Sequence, residues 1–294
     1  MRIVFFIAAL ASILAVVLIC VFLFAQGLPA IFEIGVPDFL LGTRWVPLHS
    51  SPAFGILPMI LGSIYVTAGA IIIGVPIGIF TAIFMARVCP KPLYRVLKPA
   101  LNLMAGVPSV IFGFFGMMVV VPAVFELLGR QFDMMSGDSI LSASIILGVM
   151  ILPTVIGIAE TNLRAVPQEL YEGAVALGAS HERAVFKVVL PAARSGVMAA
   201  VVLGVGRAIG ETMAVSMVAG NQAALRLPYE FYKGVRTLTT NIVIEMGYVE
   251  HGSLHNGALI ATGVVLFVFI LIINTLFSIL NQEKRSRKKK EISL

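Results

Sequence analysis

At 294 residues, 59% of them hydrophobic and only 12% charged, the chain is far too apolar for a soluble globular protein. Its two cysteines, Cys20 and Cys89, lie outside long polar loops and indicate neither a disulfide framework nor a metal site. The net charge of +6 comes mostly from basic residues flanking apolar runs, which marks membrane topology rather than a face for nucleic acid.

In chain order, Arg2 precedes an uncharged run that predicts a first span over 3–25. It is too long for a signal-peptide core and has no small-residue cleavage site after it, so it reads as retained. A polar-aromatic loop follows, with Trp45 as an interfacial anchor. A second span over 54–86 is longer than one crossing needs and contains Pro58 and Pro76. Arg87, Lys91, Arg95 and Lys98 come next, without an acid among them.

The third span, 101–125, carries Gly106-Val107-Pro108-Ser109 and then Gly113 and Gly116. The glycines allow close helix approach, and Pro108 frees a backbone carbonyl that a cavity could use, which makes Pro108 and Ser109 candidate pathway residues. The fourth span is read at 140–159, the fifth at 196–220 and the sixth at 257–280, with a polar loop over 221–256 and a basic tail over 283–294. Arg2, the cations after span two, those of the stretch Thr161–Arg194 and the tail fall on one side. Arg44, Arg130, Arg226, Lys233 and Arg236 fall on the other. The positive-inside rule then puts both termini and the 161–194 stretch in the cytoplasm. The expectation is an all-α polytopic protein, a single six-span domain over 1–294.

Within the cytoplasmic stretch, Pro167 suits the first turn of a helix over Gln168–Leu177, with Leu170, Ala174 and Leu177 on one face. Gly178 stops it in the left-handed conformation. Ser180 is a plausible N-cap for a second short helix over Arg183–Val189, with Pro191 beyond. Glu172-Gly173-Ala174, Gly178 and Val188-Val189-Leu190-Pro191 keep the spacing of the coupling loop of ABC importer permeases, which this stretch resembles. Gly173 stands where that signature usually has Ala, and Val188 where it has Ile. The resemblance implies a type I (MetI-like) permease whose Glu172, Gly173, Ala174, Gly178, Leu190 and Pro191 form the contact with a cytoplasmic ATPase.

The fifth span is the only one charged in its middle: Gly204-Val205-Gly206-Arg207-Ala208-Ile209-Gly210-Glu211-Thr212. An ionised group at that depth costs roughly 2.5–3.5 kcal/mol on insertion scales, and such groups usually face a transport cavity. Four residues apart, Arg207 and Glu211 share one helix face and are expected to pair. The arginine fork matches an oxyanion, with Glu211 holding it when the cavity is empty. The plainer alternative is an ion pair that only neutralises itself within the bundle.

GRAIGETMAV, GVPSVIFGFFG, FLLGTRWVP and FGILPMILGSIYVT are similar to segments of the PstC-type permease subunits of the bacterial phosphate-specific ABC importer. The partner PstA-type permease is the second choice. By position, Arg207 and Glu211 match that family's charged transport residues, and Thr212 continues the same motif. The resemblance implies an inner-membrane permease that imports phosphate by alternating access. It implies a second homologous permease, two ABC ATPase subunits, an external phosphate-binding protein, surrounding lipid and a link to a sensor-kinase pathway. The chain has no G-x-x-x-x-G-K-[ST], so ATP and Mg belong to the separate ATPase, and this chain is not expected to be an enzyme or to bind a cofactor. A permease for sulfate, molybdate or phosphonate, and a subunit serving mainly as a phosphate-signalling scaffold, are the alternatives. An intramembrane hydrolase is disfavoured, because His49, His181, His251 and His255 all lie outside the spans.

Overall fold

A computed structural model describes residues 1–292; side chains are described as far as Leu276 and at Ile279, so the side chains of the basic tail expected at 283–294 lie outside it. Among the described residues, five helices are long and apolar enough to cross a membrane: Arg2–Ile34, Leu57–Val88, Ser109–Phe132, Ile140–Arg164 and Leu254–Leu276. A sixth arises if the consecutive helices His181–Ala192 and Arg194–Gly210, bent by 71°, count as one span. Packing divides the chain into two compact units.

The first unit comprises Met1–Ser63, Asn221–Leu227 and Val235–Phe269. Its α1 (Arg2–Ile34) is one long apolar helix, exposed along its N-terminal half. Gly35, at φ 97°, breaks it and leads into α2 (Val36–Leu41). A two-stranded hairpin follows, β1 (Trp45–Val46) against β2 (Ala53–Phe54), with Trp45 opposite Phe54. Two glycines make this corner possible: a Cβ on Gly55 would lie 2.3 Å from the Gly42 carbonyl carbon, backbone against backbone. Thr237 caps α13 (Leu238–Met246) in a reciprocal capping box with Thr240, which satisfies two otherwise orphaned backbone donors. The unit closes over a core of Phe39, Ile56, Met59, Leu238 and Leu259.

The second unit contains Ile64–Gly220 and Pro228–Gly234. It holds most of α3 (Leu57–Ile83), which ends in a π turn at Phe84–Val88. Then come α4 (Lys91–Gly106), α5 (Ser109–Phe115), a π turn at Gly116–Val120 and α6 (Val121–Phe132). Its centre is α7 (Ile140–Arg164), capped by the Ser139 side chain and buried along most of its length. After α7 the chain forms α8 (Gln168–Ala176), α9 (His181–Ala184), a π turn at Val185–Val189 and α10 (Leu190–Ala192). It continues as α11 (Arg194–Gly210) and α12 (Met213–Val218). Glycines set how closely the helices approach α7. A Cβ on Gly74 would come 2.6 Å from the Gly148 carbonyl oxygen, and one on Gly204 2.8 Å from a Val155 methyl. The last helix, α14 (Leu254–Ile292), begins in the first unit.

Three expectations need correction. The span read at 101–125 is two helices: α4 ends at Gly106, and Val107 and Pro108 are extended before Ser109 restarts the helix. A residue before proline is pushed out of the helical region, and Gly106 is a weak helix former, so the chain breaks there. The span read at 196–220 is also interrupted, because Glu211 is extended (φ −71°, ψ 127°) between α11 and α12. Finally, Pro191 lies inside α10 rather than beyond the helix. The preceding π turn absorbs the mismatch that a proline without N–H brings to a helical ladder.

Candidate functional site

The two breaks stand at the start of helices that pack on one another. A Cβ on Gly113 of α5 would lie 2.9 Å from the Ala214 Cα and 2.7 Å from the Met217 sulfur of α12, so α5 and α12 meet through that glycine. Upstream of each break the backbone stays open: added Cβ atoms on Gly106, Gly206 and Gly210 would meet nothing within 4 Å. Pro108 is exposed, while Ser109, Arg207, Glu211 and Thr212 are half-buried.

Arg207 occupies the last turn of α11, where a cation is favoured by the negative end of the helix. Its guanidinium donates to Thr154 Oγ1 on α7 at 3.1 Å. The expected sharing of one helix face by Arg207 and Glu211 does not hold, because the helix stops at Gly210. Glu211 instead turns forward and accepts from the Ala214 N–H at 3.3 Å, capping α12. Thr212 Oγ1 donates to the Gly210 carbonyl at 3.3 Å. Thr154 was not legible as a partner, since one hydroxyl in an apolar run carries no pattern.

The stretch after α7 forms the expected pair of short helices. Pro167 is the N-cap of α8, and Ser180 caps α9, its hydroxyl accepting from the Arg183 N–H at 3.3 Å. Gly178 has φ +84° and makes the corner, with its N–H donating to the Val175 carbonyl at 2.9 Å. No residue of α8 is buried, and Leu170 and Leu177 are exposed, the latter at 91%. Such a projecting helix with apolar side chains in the open is a surface made for contact. His181 ties the two helices: its Nδ1 lies 2.7 Å from the Tyr171 hydroxyl.

A Cβ on Gly178 would also meet nothing within 4 Å, so a side chain has room and only the backbone objects. A left-handed conformation costs a β-carbon roughly 1–2 kcal/mol, so on the ATPase-contact role that the resemblance implies, Gly178→Val is expected to lower coupled uptake by about tenfold. Gly178→Asn, whose side chain tolerates that conformation, should lose much less. Equal uptake by Gly178→Val and wild type would remove the corner from the coupling path.

One cluster escaped sequence reasoning altogether. Glu160, 1% exposed on α7, accepts from Lys98 Nζ at 2.5 Å, Arg164 Nε at 2.6 Å and the Tyr94 hydroxyl at 2.8 Å. Arg164 also donates to the Met85 carbonyl at 2.7 Å and lies 4.4 Å over the Tyr94 ring. The phenol donates to the carboxylate, and that bond, followed by burial, pushes the Tyr94 hydroxyl above its ordinary pKa. Among the described residues no group of three or more His, Cys, Asp or Glu could hold a metal ion.

Residues 74–286 match the family described as binding-protein-dependent transport system inner membrane component. The chain is 41% identical over 276 residues to a probable ABC transporter permease, YqgH, of Bacillus subtilis, covering 92% of this chain and 87% of that one. It is 35% identical over 281 residues to the phosphate transport system permease PstC of Mesorhizobium japonicum, covering 90% and 84%. Among solved structures, the MetNI methionine ABC transporter in an inward-facing conformation superposes with a TM-score of 0.61. The match is 18% identical and covers 78% of this chain and 95% of that one, so it speaks for the fold alone.

Proposed function

The chain belongs to the family of binding-protein-dependent transport system inner membrane components, a multi-pass permease subunit, and on that premise we propose that its cargo is inorganic phosphate. The observation that carries the reading is Arg207. It is a permanently charged fork beside an interrupted helix, anchored only on the Thr154 hydroxyl among the described residues, and bordered by the open glycines 206 and 210. A guanidinium so held has donors to spare for a tetrahedral oxyanion. A single neutral hydroxyl is also a weak competitor that gives way when the anion arrives. The break at Val107–Pro108 supports the same side as the pathway, since it opens α5, which packs on α12 just after the break that follows Arg207. The choice of phosphate among oxyanions rests on relatives such as the phosphate transport system permease PstC at 35% identity.

In this reading the open side of the two breaks faces a second homologous permease, and Glu172, Gly173, Ala174, Gly178, Leu190 and Pro191 form the ATPase contact. Both termini are cytoplasmic. Two ATPase subunits, which hold ATP and Mg, close and open, and α8 carries their motion to the spans, so that the cavity around Arg207 opens alternately to each side. An external binding protein delivers the anion.

Labelled phosphate uptake into vesicles holding the whole importer tests the cargo. Unlabelled phosphate should compete, and sulfate or molybdate at a tenfold excess should not. Inhibition by either would leave the permease in place and overturn phosphate as its cargo.

A further inference from the structure

On the side of the second unit that carries α8, the π turn ending α3, the start of α4 and the end of α7 line a half-open cavity of about 320 Å³. Four cations line it, Arg87, Lys91, Arg95 and Arg164, together with Tyr94 and Cys89, and no carboxylate does. Glu160, the nearest acid by contact, is already shared by Lys98 and Arg164. Arg87, Lys91 and Arg95 have no acidic partner among the described residues. Like charges gathered around a concave site repel one another, and that repulsion is relieved most directly by an anion. The volume stands at the small end of ligand cavities, of roughly 300–1,000 Å³.

The chemistry of the walls narrows the occupant. Arg87 donates one nitrogen to the Leu163 and Val166 carbonyls, at 2.7 and 3.2 Å, and the other to Gln168 Oε1 at 3.1 Å. Its Nε is buried without a partner. On α4, Lys91, Arg95 and Lys98 share one face by their four- and three-residue spacing, while Leu93, Val96 and Leu103 lie exposed on the opposite one. A basic-and-apolar helix of this kind lies along a membrane surface with its cations at the level of the headgroups. Three acceptor oxygens in a tetrahedral group suit several diverging cationic donors better than a planar carboxylate does.

We propose that this cavity is a binding site for a phosphoryl oxyanion, presented by an anionic lipid headgroup or by free phosphate, in contact with the arginine that clamps the α7–α8 corner. An occupant would add charge-assisted bonds on the cavity side of Arg87 and stiffen the link from α7 to the coupling helix. The site is separate from Arg207 and does not depend on what the permease transports.

Cys89 lines the cavity and reports its occupancy. In the whole importer carrying Cys20→Ser, the rate of maleimide labelling at Cys89 would be measured in nanodiscs of phosphatidylcholine. Free phosphate would then be added, or the bilayer replaced by one containing phosphatidylglycerol, with ionic strength matched by chloride. Several-fold protection by phosphatidylglycerol alone supports the site with lipid as the source, and protection by free phosphate supports it with the soluble anion. In either case Lys91→Gln with Arg95→Gln should abolish the protection while the assembled complex and its basal uptake persist. Protection by neither addition, or equal protection in the double variant, overturns the proposal.

Discussion

Arg207→Gln is expected to reduce phosphate uptake by about 30- to 1,000-fold, because truncating one side of a desolvated, hydrogen-bonded charge pair costs about 2–4 kcal/mol. The substitution removes a charge whose insertion is itself unfavourable and leaves only a neutral Thr154 hydroxyl without its partner, so the fold should not suffer. The readout that separates transport from structure is the amount of assembled complex in the membrane, which should stay level while uptake falls. Arg207→Lys should lie in between: the charge remains, but the planar fork that engages two anion oxygens at once is lost. Thr154→Val removes only the hydroxyl that gives way to the anion and should leave uptake far closer to wild type than Arg207→Gln does. Undiminished uptake by Arg207→Gln would reduce the arginine to a structural residue and take the pathway away from the two helix breaks.

What the sequence discloses and what it hides divide along a physical line. The corner at Gly178 was legible because its requirements are local. A positive φ asks for glycine at 178, an N-cap asks for a hydroxyl at 180, and both residues stand at fixed distances along the chain. The spans were legible because hydrocarbon thickness sets a length. Their interruptions were not, since hydropathy averages across Val107–Pro108 and Glu211–Thr212 without registering that two residues have left the helix. Proline 108 was a visible warning, whereas nothing local to Glu211 marks it as extended. The assumption of an unbroken helix is therefore what produced the expected Arg207–Glu211 pair. Glu160 was hidden for another reason: it follows directly on the apolar run read as ending at 159, where an acid passes for the start of a loop. Its partners Tyr94, Lys98 and Arg164 come together only through the packing of α4 against α7.

That cluster carries the second large effect. Glu160→Ala is expected to destabilise the second unit by about 3 kcal/mol, since removing one partner of a buried ion pair leaves its counter-charges uncompensated at a cost of about 3–5 kcal/mol. The lower end applies because Lys98 and Arg164 remain 32% and 45% exposed and can swing partly into water, which a fully buried pair could not. Glu160→Gln fills the same space and still accepts one hydrogen bond, so it isolates the charge from the cavity and should cost less. The consequence does not stop at stability. Arg164 anchored on Glu160 also holds the Met85 carbonyl at the end of α3, and Arg87 holds the Leu163 carbonyl in the last turn of α7 and the Val166 carbonyl just beyond it, so the carboxylate fixes the platform from which α8 projects. Loss of Glu160 should accordingly lower the thermal unfolding midpoint of the solubilised permease and, in the fraction that remains folded, weaken coupling of ATP hydrolysis to uptake. An unchanged midpoint in Glu160→Ala would mean that its partners re-pair without it, and that packing around Met85 and Leu163 alone positions the coupling helices.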